Sequence, residues 1–187
     1  MGLSAAARDL AEEQLSRALP RRWRHVQAVA AKAERLANVF RDVDADVLVA
    51  SAWLHDVGYS PQVISTGLHA LDGALWLRGR KCNERVAGLV AYHSCAEYEA
   101  QERGLVDVLQ AEFSDEGSPV RDALWCADMT TGPDGQNLTV QERLSEVRTR
   151  YGPDHLVTRF WVKAEPVLME AVNRTQERLA VAGFQPM

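Results

Sequence analysis

Apolar residues along this chain recur at spacings of three and four, the period of one helix face, rather than at the spacing of two expected for a half-buried strand. Leu10, Leu15 and Leu19 mark a first helix that ends at Pro20. From Arg22 to Phe40, the residues Val26, Val29, Ala33, Leu36 and Phe40 form the stripe of an amphipathic helix. Asp44 is the expected N-cap of a third helix, which carries Val47, Leu48, Leu54 and His55. Gly58 and Pro61 then break the chain. Further helices are expected over 68–77 and 83–93. Ser118-Pro119 is a start signal, with Ser as cap and Pro at the first helical position, for a helix holding Val120, Leu124, Trp125 and Asp128. A turn follows at 131–135. Thr139 with Glu142 is a capping box for a helix ending near Gly152, and a last helix covers 156–182. Asp134-Gly135 is the nearest thing to a hairpin signal, but its flanks do not alternate. The pattern predicts an all-α fold in one domain.

Composition narrows the class. The chain has 187 residues, 47% of them hydrophobic and 25% charged, the balance of an ordinary globular protein. Lys and Arg number 21 against 26 Asp and Glu, a net charge of −5. Such a chain has no overall field to attract nucleic acid or an anionic membrane, so neither is expected as a partner. The longest apolar run, Val47 to Leu54, is far short of the ~20 residues of a membrane span. Met1-Gly2-Leu3-Ser4-Ala5 leads into Arg8, Asp9, Glu12 and Glu13 with no apolar leader segment, so a cytoplasmic protein is expected. Cys82, Cys95 and Cys126 fit neither a disulfide framework nor a zinc motif and read as reduced thiols. Trp53, Trp76, Trp125, Phe160 and Trp161 fall at helical spacings and read as core.

The chemistry lies in the histidines. His55-Asp56 ends an apolar helix just before the Gly58 break, where an imidazole and a carboxylate can turn toward one point. His25 lies one turn before Val29 and in line with Leu36. His93 follows Val86, Leu89 and Val90 at offsets of seven, four and three, on the apolar face of its helix. Asp128 follows Leu124 and Trp125 at offsets of four and three, so a carboxylate also points inward and needs a cation or strong donors. His69 stands near a helix start beside Leu68. Four histidines and two aspartates on successive apolar faces are explained together by shared metal ions. Imidazole with carboxylate suits Fe, Mn, Zn or Co.

This order of ligands, with Ala52-Trp53-Leu54-His55-Asp56-Val57-Gly58 before the break and Val90-Ala91-Tyr92-His93 at the fourth histidine, resembles the HD-domain superfamily of metal-dependent phosphohydrolases over roughly 22–131. The resemblance implies a single-domain helical HD-domain fold. Residues 22–131 would be its metal-binding core, 1–21 a helix packed on it, and 132–187 C-terminal helices completing the same domain. It implies that His25, His55, Asp56 and Asp128 hold one ion, and that Asp56 bridges to a second held by His69 and His93. Two divalent ions are then the expected cofactor, iron or manganese first, with cobalt, zinc or magnesium also accommodated. Many relatives have Lys after His-Asp-x-Gly, where it can contact substrate phosphate; here Tyr59 takes that place.

The implied activity is hydrolysis of a phosphate ester of a nucleotide or another small phosphorylated metabolite, with His55 and Asp56 as the catalytic pair. A minority branch resembling myo-inositol oxygenase uses the same ligand set for di-iron oxygen chemistry and is the alternative. A metal-stabilised regulatory module is the second alternative. Candidate substrate contacts are Arg22 and Arg24 beside the first histidine, Lys32 two turns further, Tyr59 and Ser60 after the His-Asp pair, Thr130 and Thr131 after Asp128, and Arg143 on the capped helix. The polar stretch from Tyr98 to Arg103 forms a solvated helix or a rim, and His155 is a helix-start residue without a ligand role. The sequence leaves the oligomeric state open.

Overall fold

The helical periodicity is realised as ten α-helices among residues 2–185, which the computed structural model describes. They are α1 (Leu3–Leu15), α2 (Pro20–Ala37), α3 (Asp42–Leu54), α4 (His69–Gly79), α5 (Glu84–Ala91), α6 (Ala96–Arg103), α7 (Val106–Glu112), α8 (Pro119–Met129), α9 (Val140–Tyr151) and α10 (Leu156–Val181). Short 3₁₀ turns cover Val57–Tyr59 and His93–Cys95. The fold is all-α. The described residues contain no strand, only a single antiparallel bridge between Thr131 and Asn137.

Two helices form the centre. In α3, Val47, Leu48, Val49, Ala50, Ser51, Ala52 and Leu54 are buried, so it is apolar on nearly all sides, as a core helix must be. It packs against α1, α2, α5 and α8. α8 is buried at nine positions and packs against α2, α3 and α10. Around this pair, α4 lies on α5, and α10 lies on α6, α8 and α9. Trp125, Phe160 and Trp161 are buried and Trp53 and Trp76 half-buried against the same core, in line with the expectation for the aromatics. α10 runs through Pro166, whose missing N–H falls on an exposed side of the helix.

Several element ends differ from the pattern-based expectation, each for a local reason. α1 stops at Leu15, and Pro20 begins α2 at its first position, where a missing N–H leaves no helical bond unmade. Asp44 is not a cap. α3 starts at Asp42, and the Asp44 carboxylate instead accepts from Arg85 Nη1 at 2.6 Å. The helix expected over 83–93 ends at Ala91, and Ser94 and Cys95 take φ of 48° and 60° to turn the chain into α6. The other signals hold. Ser118 caps α8 by accepting from Arg121 N–H, and Thr139 and Glu142 form their capping box.

Three local devices position the site. Gly58 lies so close to α4 that a Cβ there would sit 1.9 Å from the His69 carbonyl oxygen. Asp72 gathers the N–H groups of Ser65, Thr66 and Gly67 and the Thr66 hydroxyl, at 2.8–3.1 Å, which fixes the loop leading into His69. The turn after α8 is closed by Gly132 N–H to Gln136 O and Leu138 N–H to Thr130 O. It is tied to α2 by Asp134, which accepts from both Arg21 and Arg24.

Candidate metal centre

Five of the six expected ligand residues sit at or near helix ends. His55 is the C-cap of α3, Asp56 follows it, His69 is the first residue of α4, His93 follows α5, and Asp128 lies in the last turn of α8. His25 comes from the second turn of α2. Their ligand atoms fall into two groups, His25, His55 and Asp128 in one and Asp56, His69 and His93 in the other, each with all atoms within 4.8 Å of one another.

The first group is tight. His25 Nε2 lies 3.0 Å from Asp128 Oδ1 and 3.4 Å from His55 Nε2, and His55 Nε2 lies 3.8 Å from Asp128 Oδ1. Asp56 Oδ2 adjoins it, 3.4 Å from His55 Nε2 and 3.7 Å from His25 Nε2. Asp56 Oδ1 faces the other group, 3.6 Å from His69 Nε2 and 3.9 Å from His93 Nε2, which are themselves 3.0 Å apart. Two ligand atoms each ~2.1 Å from one ion lie about 3.0–3.4 Å apart at octahedral or tetrahedral angles. The observed separations fit that spacing with little adjustment.

The tautomers fit as well. His25 Nδ1 donates to Gly132 O at 3.0 Å, His55 Nδ1 to Ala52 O at 2.8 Å and His93 Nδ1 to Val90 O at 2.6 Å. A carbonyl only accepts, so each of these nitrogens carries the proton. In the neutral ring Nε2 then presents its lone pair to the cluster. At His25 that lone pair faces a carboxylate oxygen, acceptor against acceptor, an arrangement that calls for a cation between them. Asp128 is held from its other oxygen by the Ser94 hydroxyl.

Electrostatics reinforce the ionised carboxylates. Burial works to raise the Asp56 carboxyl, but Arg22 and His55 outweigh it and hold it well below the ordinary range. Asp128 is likewise lowered against the effect of burial, chiefly by its neighbours His25 and His55. Burial lowers His69 and His93, helped by His93 acting on His69 and by His55 acting on His93, so both stay neutral and able to ligate. Burial opposes charge on His55, yet Asp56 raises it to about 9, so its Nε2 calls for a positive charge, a proton or a metal cation.

The family model described as HD domain matches residues 22–130, more than half the chain and every ligand above. The chain belongs to the HD-domain family. No curated protein and no solved structure matches it. Membership in the HD-domain family points to a metal-dependent hydrolase and to divalent metal binding, and the two His/Asp groups fit a metal site. No helix among the described residues is long and apolar enough to cross a membrane.

A cavity of about 220 Å³ in this HD-domain protein opens onto Asp56, His69, His93 and Asp128 of the two His/Asp groups. Of the substrate candidates, Arg22, Tyr59 and Arg143 line it. Arg22 Nη1 donates to Asp56 Oδ2 at 2.7 Å, its guanidinium lies 4.0 Å from the Tyr59 ring centroid, and that ring stacks on His69 at 4.0 Å. The other five candidates turn elsewhere. Arg24, next to His25 on the helix, faces solvent and pairs with Asp134. Lys32 is buried and donates to the carbonyl and hydroxyl of Thr130. Ser60 donates to Gln14 Oε1 at 3.1 Å. Thr130 and Thr131 return their hydroxyls to Cys126 O and Ala127 O, as threonines at helix ends do. His155, outside the ligand set as expected, nevertheless lines the cavity. The stretch beginning at Tyr98 forms most of α6, whose Glu99 and Arg103 are also in the wall. Ser94 and Arg150 have no counterpart among the expected site residues. A buried serine next to a histidine of the cluster carries no periodic signal, and Arg150 reads as helix surface.

Proposed function

We propose that this HD-domain protein is a phosphohydrolase that cleaves the phosphate ester of a small phosphorylated metabolite, nucleotides included, with water activated at a two-metal centre. The observation that carries the reading is Asp56, whose Oδ2 faces one His/Asp group while its Oδ1 faces the other. His25, His55, Asp128 and Asp56 would hold one ion, and Asp56, His69 and His93 the second. Iron or manganese suits this mixture of imidazole and carboxylate, and cobalt, zinc or magnesium is accommodated. Bound there, divalent ions supply a water with its pKa lowered toward ~7 and neutralise charge on the phosphoryl oxygens.

The chain's own residues do the rest. Burial opposes the Arg22 charge, but Asp56 overcomes it and keeps the guanidinium protonated, ready to pair with phosphoryl oxygens in a fork. Tyr59 supports that guanidinium through its ring. Burial raises the Tyr59 hydroxyl, which therefore remains a neutral donor rather than an anion that would repel phosphate. Arg22 over Tyr59 thus supplies the cation that many relatives provide with Lys at the Tyr59 position. In the reaction the water oxygen bonds to phosphorus, the ester P–O bond breaks, and the departing alkoxide takes the proton that the water gives up.

The test joins metal analysis of protein purified without a metal-affinity step to a phosphate-release assay on phosphomonoesters. One or two ions per chain and loss of phosphate release in Asp56→Ala, with helicity retained, is the expected result. Full release by that variant refutes the reading. Turnover that consumes dioxygen and depends on iron assigns the centre to oxygenase chemistry instead.

A further inference from the structure

The cavity wall has two origins. One part is the ligand cluster with Arg22, and another comes from α9 and α10, beyond the matched segment 22–130. On α9, Arg143, Val147 and Arg150 recur at spacings of four and three, so they share the face that lines the cavity. Arg143 is only 8% exposed. Its Nη1 donates to Glu146, but its buried Nε has no partner. Arg150 donates to the same carboxylate, from Nε at 2.8 Å and from Nη2. One carboxylate therefore serves two guanidiniums and leaves this face with a net positive charge. His155 Nδ1 accepts from Val157 N–H at 3.1 Å, so the neutral ring carries its proton on Nε2 as a further donor. The ring stacks on Tyr151 with centroids 4.8 Å apart, and both residues line the cavity. Val147, Val157, Phe160 and Trp161 make the remainder of this wall apolar.

A buried guanidinium N–H without an acceptor is costly, and a net cationic face open to a cavity attracts an anion. We propose that the α9 face is a second anion subsite, so that the substrate carries, besides the phosphate at the metal ligands, a second anionic group, carboxylate or phosphate, joined to it by a short carbon body. The body is short because about 220 Å³ lies below the ~300–1,000 Å³ of sites for drug-sized ligands. The phosphohydrolase reading supplies the identity of the first group; the second follows from Arg143, Glu146 and Arg150.

Calorimetric titration of metal-loaded and metal-free protein with three matched probes tests this. The probes are propyl phosphate, the phosphate ester of 3-hydroxypropanoate, and 1,3-propanediol bisphosphate. A two-anion probe is expected to bind about tenfold tighter than propyl phosphate, in metal-free protein too because α9 holds no metal ligand, and the tighter of the two names the group. Arg143→Gln brings the ratio to about one. Glu146→Gln removes the competing carboxylate and tightens the two-anion probe several-fold, whereas a merely structural triad would not bind it more tightly after that change. Equal affinity of wild-type protein for all three probes, or no gain in Glu146→Gln, overturns the subsite. Discrimination without phosphate release from any ester would retain the subsite and remove the hydrolase reading.

Discussion

The contact between Gly58 and α4 makes a sharp test of how the fold holds the metal ligands. In Gly58→Ala the new methyl would lie 1.9 Å from His69 O, 2.7 Å from His69 C and 2.8 Å from Gly73 N. The first of these is about 1.5 Å short of the 3.4 Å at which ordinary contact begins. All three atoms are backbone, so no side chain can swing aside, and α4 itself must move. Overpacking typically costs about 1–3 kcal/mol, and a backbone-limited case belongs at the top of that range. The Gly-to-Ala gain through the unfolded chain, about 0.4–1 kcal/mol, offsets part of it. A net loss of about 2–3 kcal/mol lowers the melting temperature of a chain this size by roughly 4–12 °C. The functional effect is larger, because His69 is the first residue of α4 while Asp56 lies two residues before Gly58. Moving one against the other by about 1 Å exceeds the ~0.2 Å tolerance of metal coordination. Thermal melts and metal stoichiometry measure both effects. Wild-type melting together with wild-type metal content would refute the claim that this contact sets the Asp56–His69 spacing.

Two further outcomes follow from buried polar groups. Ser94→Ala removes the hydroxyl held on Asp128 and is expected to weaken metal affinity about 10–100-fold in a chelator competition. Ser94→Gly, which relaxes the positive φ but also lacks the hydroxyl, should weaken it equally; normal affinity in the glycine variant would mean that backbone strain, not the bond, matters. Lys32 is lowered by burial to about 8 from 10.5, so between those pH values the unfolded chain binds a proton that the folded protein does not. Stability should therefore rise with pH across that window, by up to roughly 3 kcal/mol, and Lys32→Met should lose that rise in denaturant titrations at pH 7 and pH 10.

Much of the fold was legible because helix faces impose a period. Ser118-Pro119 and the Thr139–Glu142 box marked helix starts by chemistry that works locally. The ligand histidines were legible because polar groups on apolar faces demand an explanation. Asp44 misled because a good capping residue inside the first turn looks the same as one at the cap, and the choice was settled by Arg85 from a distant helix. The substrate candidates divide by geometry. Arg22 is three residues before His25 and shares its face, whereas Arg24 is one residue away and points about 100° around the helix. Lys32 keeps the face but lies seven residues, about 10 Å, further along, where it meets the end of α8 instead of the cavity. Thr130 and Thr131 are near Asp128 in sequence, yet their hydroxyls are taken up by their own helix. Neighbourhood in sequence marked the members of the two His/Asp groups well and the cavity poorly, because the cavity wall also draws on α6, α9 and α10.

The placement of ligands at helix ends has an electrostatic consequence of its own. α3, α5 and α8 each deliver a candidate ligand at or just past the C-terminal end, the pole that carries roughly half a negative charge. Carbonyls from two of those ends, Ala52 and Val90, fix histidine tautomers, and Gly132 beyond the third does the same. Backbone and side chains thus act in the same direction, drawing positive charge to the floor of the cavity. Such a floor would repel an anionic substrate unless cations answered it, and the cavity wall carries Arg22 near the start of α2 and Arg143 and Arg150 on α9, the last of these in the final turn of its helix. The family match ends at residue 130 while the cavity wall continues to Trp161. The matched segment supplies both His/Asp groups, and the helices after it supply the cationic and apolar wall that faces them.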